Sequence, residues 1–236
     1  MLLLQARLPD DPVREHELQC FAASTGLGAD NVVPHDLCKG PPSVARLRDF
    51  DMLSVGGSGD FYVSKEDLPH FEAYLDLLRE VVDLGQPTFA SCFGYQSILR
   101  ALGAEVIHDP PNAEVGTFEL TLTQDGQSDP LFGALPQRFL AQLGHKERAT
   151  TTARGTVNLA GSERSPFQAL RIPEKSIWAT QFHPEMDRTT NLARFRRYIK
   201  DYGPADPEEH AAAFRRFRDS PDASSLLARF VALVCG

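Results

Sequence analysis

The sequence predicts an α/β fold: a mostly parallel central sheet with helices on both faces, a small antiparallel strand set, and C-terminal helices. Three observations predict it. Up to Leu102, short apolar runs alternate with segments of helical period, the pattern of strand–helix–strand units. From Thr117 onward, strand-like segments follow one another through short connections, as in an antiparallel run. Near the end, one more stretch, Ala223–Val234, places Leu226, Leu227, Phe230, Val231 and Val234 on one helical face.

Taken in order, Leu2–Leu8 reads as a first strand closed by Pro9, and Val13–Ser24 as a helix stopped by Gly26 and Gly28. Pro34–Pro42 reads as loop. Phe50–Val55 is a buried strand that ends at Gly56-Gly57-Ser58-Gly59. Leu68–Leu84 is an amphipathic helix: Phe71, Tyr74, Leu75, Leu78, Val81 and Val82 recur at three and four, and Gly85 supplies a C-cap. Pro87–Ser91 is a short strand and Gln96–Leu102 a helix ended by Gly103. Thr117–Thr123 alternates apolar and polar residues, and Arg138–Leu143, Thr156–Ala160, Phe167–Ile172 and Ile177–Phe182 continue the strand series. Arg188–Tyr202 returns to helix, and Pro204–Pro207 reads as a hinge. The expected organisation is one domain over residues 1–202, with a helical extension, 203–236, packed on it.

A chain of 236 residues is long enough for one sizeable core. A net charge of −8 argues against nucleic acid as a partner, because phosphate binding needs a basic surface. No apolar run approaches the roughly 20 residues of a membrane helix, and the three leucines after Met1 are too few for a signal peptide. A cytoplasmic chain is therefore expected. Cys20, Cys38, Cys92 and Cys235 form no C-x-x-C pair, which disfavours zinc and redox dithiols, so no metal and no cofactor is expected and the thiols should be free.

Three features carry possible chemistry. Cys92 lies between a strand and a helix in Ala90-Ser91-Cys92-Phe93-Gly94-Tyr95-Gln96. A tight strand-to-helix turn lifts a nucleophile out of the sheet, and the positive end of the helix favours thiolate. Alone, a cysteine at a strand end is more often a small buried hydrophobe. His183 and Glu185 flank Pro184 where a strand stops. The carboxylate could accept from one ring nitrogen and leave the other as a base, or both could simply be solvated. Gly56-Gly57-Ser58-Gly59 could offer backbone N–H groups to an oxyanion, or be a plain turn. It lacks the last glycine of a dinucleotide fingerprint and the lysine of a phosphate loop. Together the three fall at strand ends, the edge where open α/β sheets bind ligands.

At these residues the chain resembles the class I (triad) glutamine amidotransferase family, over most of its length, as a stand-alone member similar to the amidotransferase domain of GMP synthase. That family's Gly-x-Cys-x-Gly-x-Gln motif stands here as Ala90-Ser91-Cys92-Phe93-Gly94-Tyr95-Gln96, with alanine for the first glycine. Gln181-Phe182-His183-Pro184-Glu185 matches the second motif and Val55–Gly59 the oxyanion turn. Gly144-His145-Lys146-Glu147 matches the segment that contacts the glutamine backbone only weakly, and read by itself it is an exposed loop histidine. The resemblance implies a flavodoxin-like fold. It implies Cys92 as nucleophile, His183 as base and acid, and Glu185 as orienting group. It also implies Gly57 and Phe93 N–H groups as oxyanion hole, with Gly56, Gln96 and His145 at the substrate. The implied reaction is glutamine hydrolysis through a γ-glutamyl thioester.

No ATP-binding motif is visible, so the ammonia acceptor would depend on a separate synthetase subunit. The alternatives are a γ-glutamyl peptide hydrolase with the same three residues, and a non-catalytic binding protein on the same fold.

Overall fold

The computed structural model describes residues 1–203, 206 and 210–236; the hinge expected at 204–207 lies, Asp206 apart, outside them. Among the described residues, nine strands form one sheet. They are β1 (Leu2–Gln5), β2 (Val33–Asp36), β3 (Leu53–Val55), β4 (Thr88–Ser91), β6 (Glu114–Leu122), β7 (Arg138–His145), β9 (Val157–Gly161), β10 (Ala169–Ile172) and β11 (Ile177–Thr180). β5 (Val106–His108) and β8 (Glu147–Ala149) pair separately as a small antiparallel ribbon. The sheet order is β2-β1-β3-β4-β11-β10-β9-β6-β7. The first five strands in that order run parallel, and the rest extend the same sheet antiparallel. No helix among the described residues is long and apolar enough to cross a membrane.

Two apolar layers sandwich the sheet. One gathers the helix Phe71–Leu84 and the helix Phe93–Ala101 against Leu2, Leu4, Val55 and Ile177. The other gathers Leu3, Phe21, Phe89, Trp178 and Phe182 against the C-terminal helix Leu226–Cys235. Residues alternate between the layers because strand side chains point to opposite faces with period two. Phe230 anchors the last helix: its ring sits edge-on to Phe89 at 5.5 Å and to Trp178 at 5.9 Å.

Three strands were not expected from sequence. β2 overlaps the segment Pro34–Pro42 read as loop. It is an edge strand, where a missing N–H is tolerated. Val33 N–H faces inward, donating to the Met1 carbonyl, so the Pro34 nitrogen faces outward. β5 and β8 have three residues each, too few to show a period. Two expected helices each break in two. Arg188–Tyr202 is interrupted at Tyr198, and the last stretch divides into Pro221–Ser224 and Leu226–Cys235.

Candidate active site

β4 lies between β3 and β11, so the ends of all three strands open on one edge. Three chemistry-bearing segments of the sequence meet there: the glycine turn after β3, Cys92 after β4, and His183 after β11.

Cys92 is where β4 turns into the helix Phe93–Ala101. Its backbone adopts φ 51°, ψ −101°, a region that residues with a Cβ avoid. Its N–H still donates to the Thr180 carbonyl at 2.7 Å, and its carbonyl accepts from Gln96 N–H, so sheet and helix pin it from either side. The helix starts directly after Cys92, three residues earlier than the sequence suggested. Gly94 makes that possible: a Cβ there would lie 2.7 Å from Val55 Cβ and 2.8 Å from the Val55 carbonyl oxygen. Ala90 sits inside β4, opposite Val55 and Ala179, where its methyl is accommodated in the core.

Gly57 closes the other side. A Cβ on it would fall 2.8 Å from His183 Cε1 and 3.6 Å from Cys92 Cβ. Its backbone therefore lies directly against both side chains. Gly56 does not face the same space: its N–H donates to the Leu4 carbonyl, its carbonyl accepts from Gly94, and a Cβ would meet the Glu17 carboxylate.

His183 is held by its own N–H, which donates to the Gln142 carbonyl at 2.8 Å. Its Nδ1 lies 2.7 Å from Glu185 Oε1. Both side chains are buried. Burial alone would push the imidazole down. The charges of Glu185 and Cys92, with hydrogen bonds to both, outweigh it and raise His183 to about 9. Burial would likewise push Glu185 up, but His183 and the Arg194 guanidinium, 3.7 Å from Oε1, hold it below its usual value.

Around the sulfur, a chain of buried amides continues outward. Gln181 Nε2 lies 3.6 Å from Cys92 Sγ, and its Oε1 accepts from Gln96 Nε2 at 3.0 Å. Gln96 Nε2 also donates to the Glu147 carbonyl at 3.1 Å. His145 is buried at the end of β7, not exposed on a loop: Nδ1 bonds the same Glu147 carbonyl, and Nε2 lies 3.1 Å from Glu114 Oε2. The Glu147 carboxylate accepts from Val63 and Ser64 N–H, both at 2.9 Å. A small cavity opens among Ser58, Phe61, Tyr62, Cys92, Phe93, Gln96 and the 144–147 segment. A second cavity shares Ser58 and Gly144 with it and continues past His183 to Arg7, Asn191, Arg194 and Tyr198.

Of the residues expected from sequence, the structure brings Cys92, Phe93, Gly57, His183, Glu185, Gln96 and His145 together and leaves Gly56 behind the turn. Gln181 and Arg194 were not anticipated. Gln181 is two residues before His183, and period two is the signal that could have found it. Arg194 gave none, being one of several arginines in a polar helix.

The family model described as glutamine amidotransferase class-I matches residues 52–198, from just before β3 through Tyr198. Among curated relatives, the chain is 28% identical over 159 residues to the glutamine-hydrolysing GMP synthase of Thermosipho africanus. It is 31% identical over 148 residues to that of Streptococcus mutans. These matches cover 67% and 62% of the chain but only 28% and 26% of the relatives, so it spans about a quarter of their length. A glutamine amidotransferase structure from Thermotoga maritima superposes with a TM-score of 0.73 at 17% identity, over 100% of this chain and 99% of the other. One from Methylobacillus flagellatus superposes with a TM-score of 0.71 at 20% identity, over 98% and 94%. The last two show the fold; the family model, matched across the glycine turn, Cys92 and the His183–Glu185 segment together, shows more: this chain belongs to the class I glutamine amidotransferase family.

Proposed function

We propose that the protein hydrolyses the side-chain amide of glutamine, with Cys92, His183 and Glu185 as its catalytic residues. The observation that carries this reading is the convergence of Cys92, Gly57 and the His183–Glu185 pair on one sheet edge. The Cys92 sulfur attacks the amide carbon, forming a carbon–sulfur bond, while N–H groups of Gly57 and Phe93 receive the developing oxyanion. His183, which carries a proton at neutral pH, gives it to the departing nitrogen as the carbon–nitrogen bond breaks. Ammonia leaves and a γ-glutamyl thioester remains. Water then attacks, His183 takes up its proton, and the carbon–sulfur bond breaks to release glutamate. Glu185 keeps the ring oriented throughout and stabilises its protonated form before the first transfer and after the second.

In this reading His145 shapes the substrate cavity from its wall, since both ring nitrogens already bond Glu147 and Glu114, whereas Gln96 bonds Glu147 and Gln181 through Nε2 alone and keeps Oε1 to offer the substrate. Gly56 supports the turn. The relatives are GMP synthases, and the matched part is about a quarter of them. The ammonia would accordingly pass to an acceptor-activating synthetase on another polypeptide or segment.

A second reading, hydrolysis of γ-glutamyl peptides, draws on the second cavity. It continues past His183, and because His183 is the group that would protonate the leaving nitrogen, a peptide on that nitrogen would extend into it.

The test is direct. Purified protein is given L-glutamine, and glutamate and ammonia are measured; Cys92→Ser should abolish both. An electrophilic glutamine analogue such as acivicin should add one mass on the Cys92 peptide. Strong turnover of γ-glutamyl peptides with negligible release of ammonia from glutamine would transfer the conclusion to the second reading. Absence of labelling at Cys92 together with full activity of Cys92→Ser would end both.

A further inference from the structure

The amide chain behind Cys92 has only one consistent orientation. The Glu147 backbone carbonyl can only accept, so Gln96 must turn its nitrogen toward it. The second hydrogen of that nitrogen then points at Gln181, which must present its oxygen. With its oxygen so used, Gln181 aims Nε2, a donor, at Cys92 Sγ 3.6 Å away. The Gln181 side chain is fully buried, and its backbone is fixed by donation to the Gln168 carbonyl at 2.8 Å. An N–H held at a sulfur in a water-excluded site stabilises the negative form of that sulfur more than the neutral one.

We infer that Gln181 is a further catalytic residue, a hydrogen-bond donor to the Cys92 thiolate that is preset by Gln96 and Glu147. This rests on Cys92 being the nucleophile, and it divides the work at the sulfur. His183 passes its proton to the leaving nitrogen and takes one from water, whereas Gln181 supplies the sulfur with a neutral, fixed dipole that gives up no proton during the cycle. The same donor holds charge on sulfur when the thioester breaks and the thiolate leaves. It also gives Gln96 a second task, because a change at Gln96 frees Gln181 to rotate its amide.

The experiment follows carbamidomethylation of the Cys92 peptide by iodoacetamide, in which the sulfur–carbon bond forms and iodide leaves. Wild type, Gln181→Leu and Gln181→Glu are compared by mass spectrometry across pH. Gln181→Leu should slow modification about tenfold at neutral pH, the effect of losing one charge-assisted hydrogen bond. The deficit should vanish at alkaline pH, because a donor that acts by favouring thiolate adds nothing once hydroxide has removed the proton in every variant. Gln181→Glu, which keeps the shape and the bond from Gln96 but turns a carboxylate to the sulfur, should be slower still. The kcat for glutamine should fall in parallel, with KM little changed. Should Gln181→Leu fail to fold, Gln181→Glu alone decides. Equal neutral-pH modification rates in wild type and the folded variants would overturn the inference, as would a deficit that persists unchanged into alkali. Neither result touches the nucleophile assignment, which Cys92→Ser tests separately through glutaminase activity.

Discussion

Glu185 Oε1 and His183 Nδ1 stand 2.7 Å apart inside the protein, across a single proline in the chain. The proline fixes its own φ and biases His183 toward extended backbone, so a two-residue separation becomes a contact without a long loop to order. Outside this pair, Arg194 approaches the same carboxylate oxygen. A cation, an anion and a second cation are thus stacked behind the sulfur.

That arrangement sets a pH dependence. With His183 raised from 6.5 to about 9, its protonated form persists through neutral pH. The alkaline limb of kcat should therefore fall near pH 9. The stabilising contribution of the ring is complete below about 6.5 and is lost as pH rises through about 9. Glu185→Gln removes the charge that holds the imidazolium, so the limb should move to lower pH and kcat should drop on the order of a hundredfold or more. Initial rates across pH check both.

Gly57→Ala should fold and fail. The added methyl would meet His183 Cε1 at 2.8 Å, so either the turn or the ring must shift by several tenths of an ångström. Displacement of reacting groups on this scale costs on the order of a hundredfold in rate. Steady-state kinetics should show the loss in kcat, while thermal unfolding stays within a few degrees of the parent.

Phe230→Ala should destabilise without touching chemistry. Its ring is buried against Phe89 and Trp178, and a phenylalanine truncated in such a place costs about 3–5 kcal/mol. Urea unfolding followed by Trp178 fluorescence measures it. A loss below about 1 kcal/mol would mean that the last helix is not anchored there.

Arg7→Leu should be costly for a different reason. Arg7 Nη2 lies 2.8 Å from Glu17 Oε1, both side chains being almost wholly buried. Removing the cation leaves an uncompensated carboxylate behind Gly56, a loss of about 3–5 kcal/mol. Replacing Arg7 and Glu17 together by apolar residues should recover much of it, which a double-mutant cycle would read.

Much of this site was legible in the sequence because its parts are local. A cysteine between strand and helix, a glycine run after a strand, and a histidine and glutamate around a proline are each visible within a few residues, ambiguous singly and pointing to a site only together. What remained hidden depends on long-range packing. His145 reads as an exposed loop residue because nothing near it in sequence tells of Glu114, 31 positions earlier, waiting for its ring. Gly56 reads as part of the site, yet Glu17 fills the space beside it. Arg194 is one arginine among neighbours of the same type, distinguished only by where its helix lies. In the fold, long amphipathic helices were plain, while the three-residue strands β5 and β8 were not, since two turns of alternation are needed before a period exists and neither is a continuous apolar run like the one that marks β3.

Pro34 has a consequence beyond its own strand. β2 ends the sheet, and the outer side of such a strand is a template on which a foreign strand can assemble. Here one of the few outward-facing amide positions carries no hydrogen at all. A chain arriving from another molecule would find a gap in the ladder where it needs a rung, so self-association by strand addition is discouraged at this border. Substituting valine would restore the rung and make this margin of the protein sticky, visible as turbidity on mild heating.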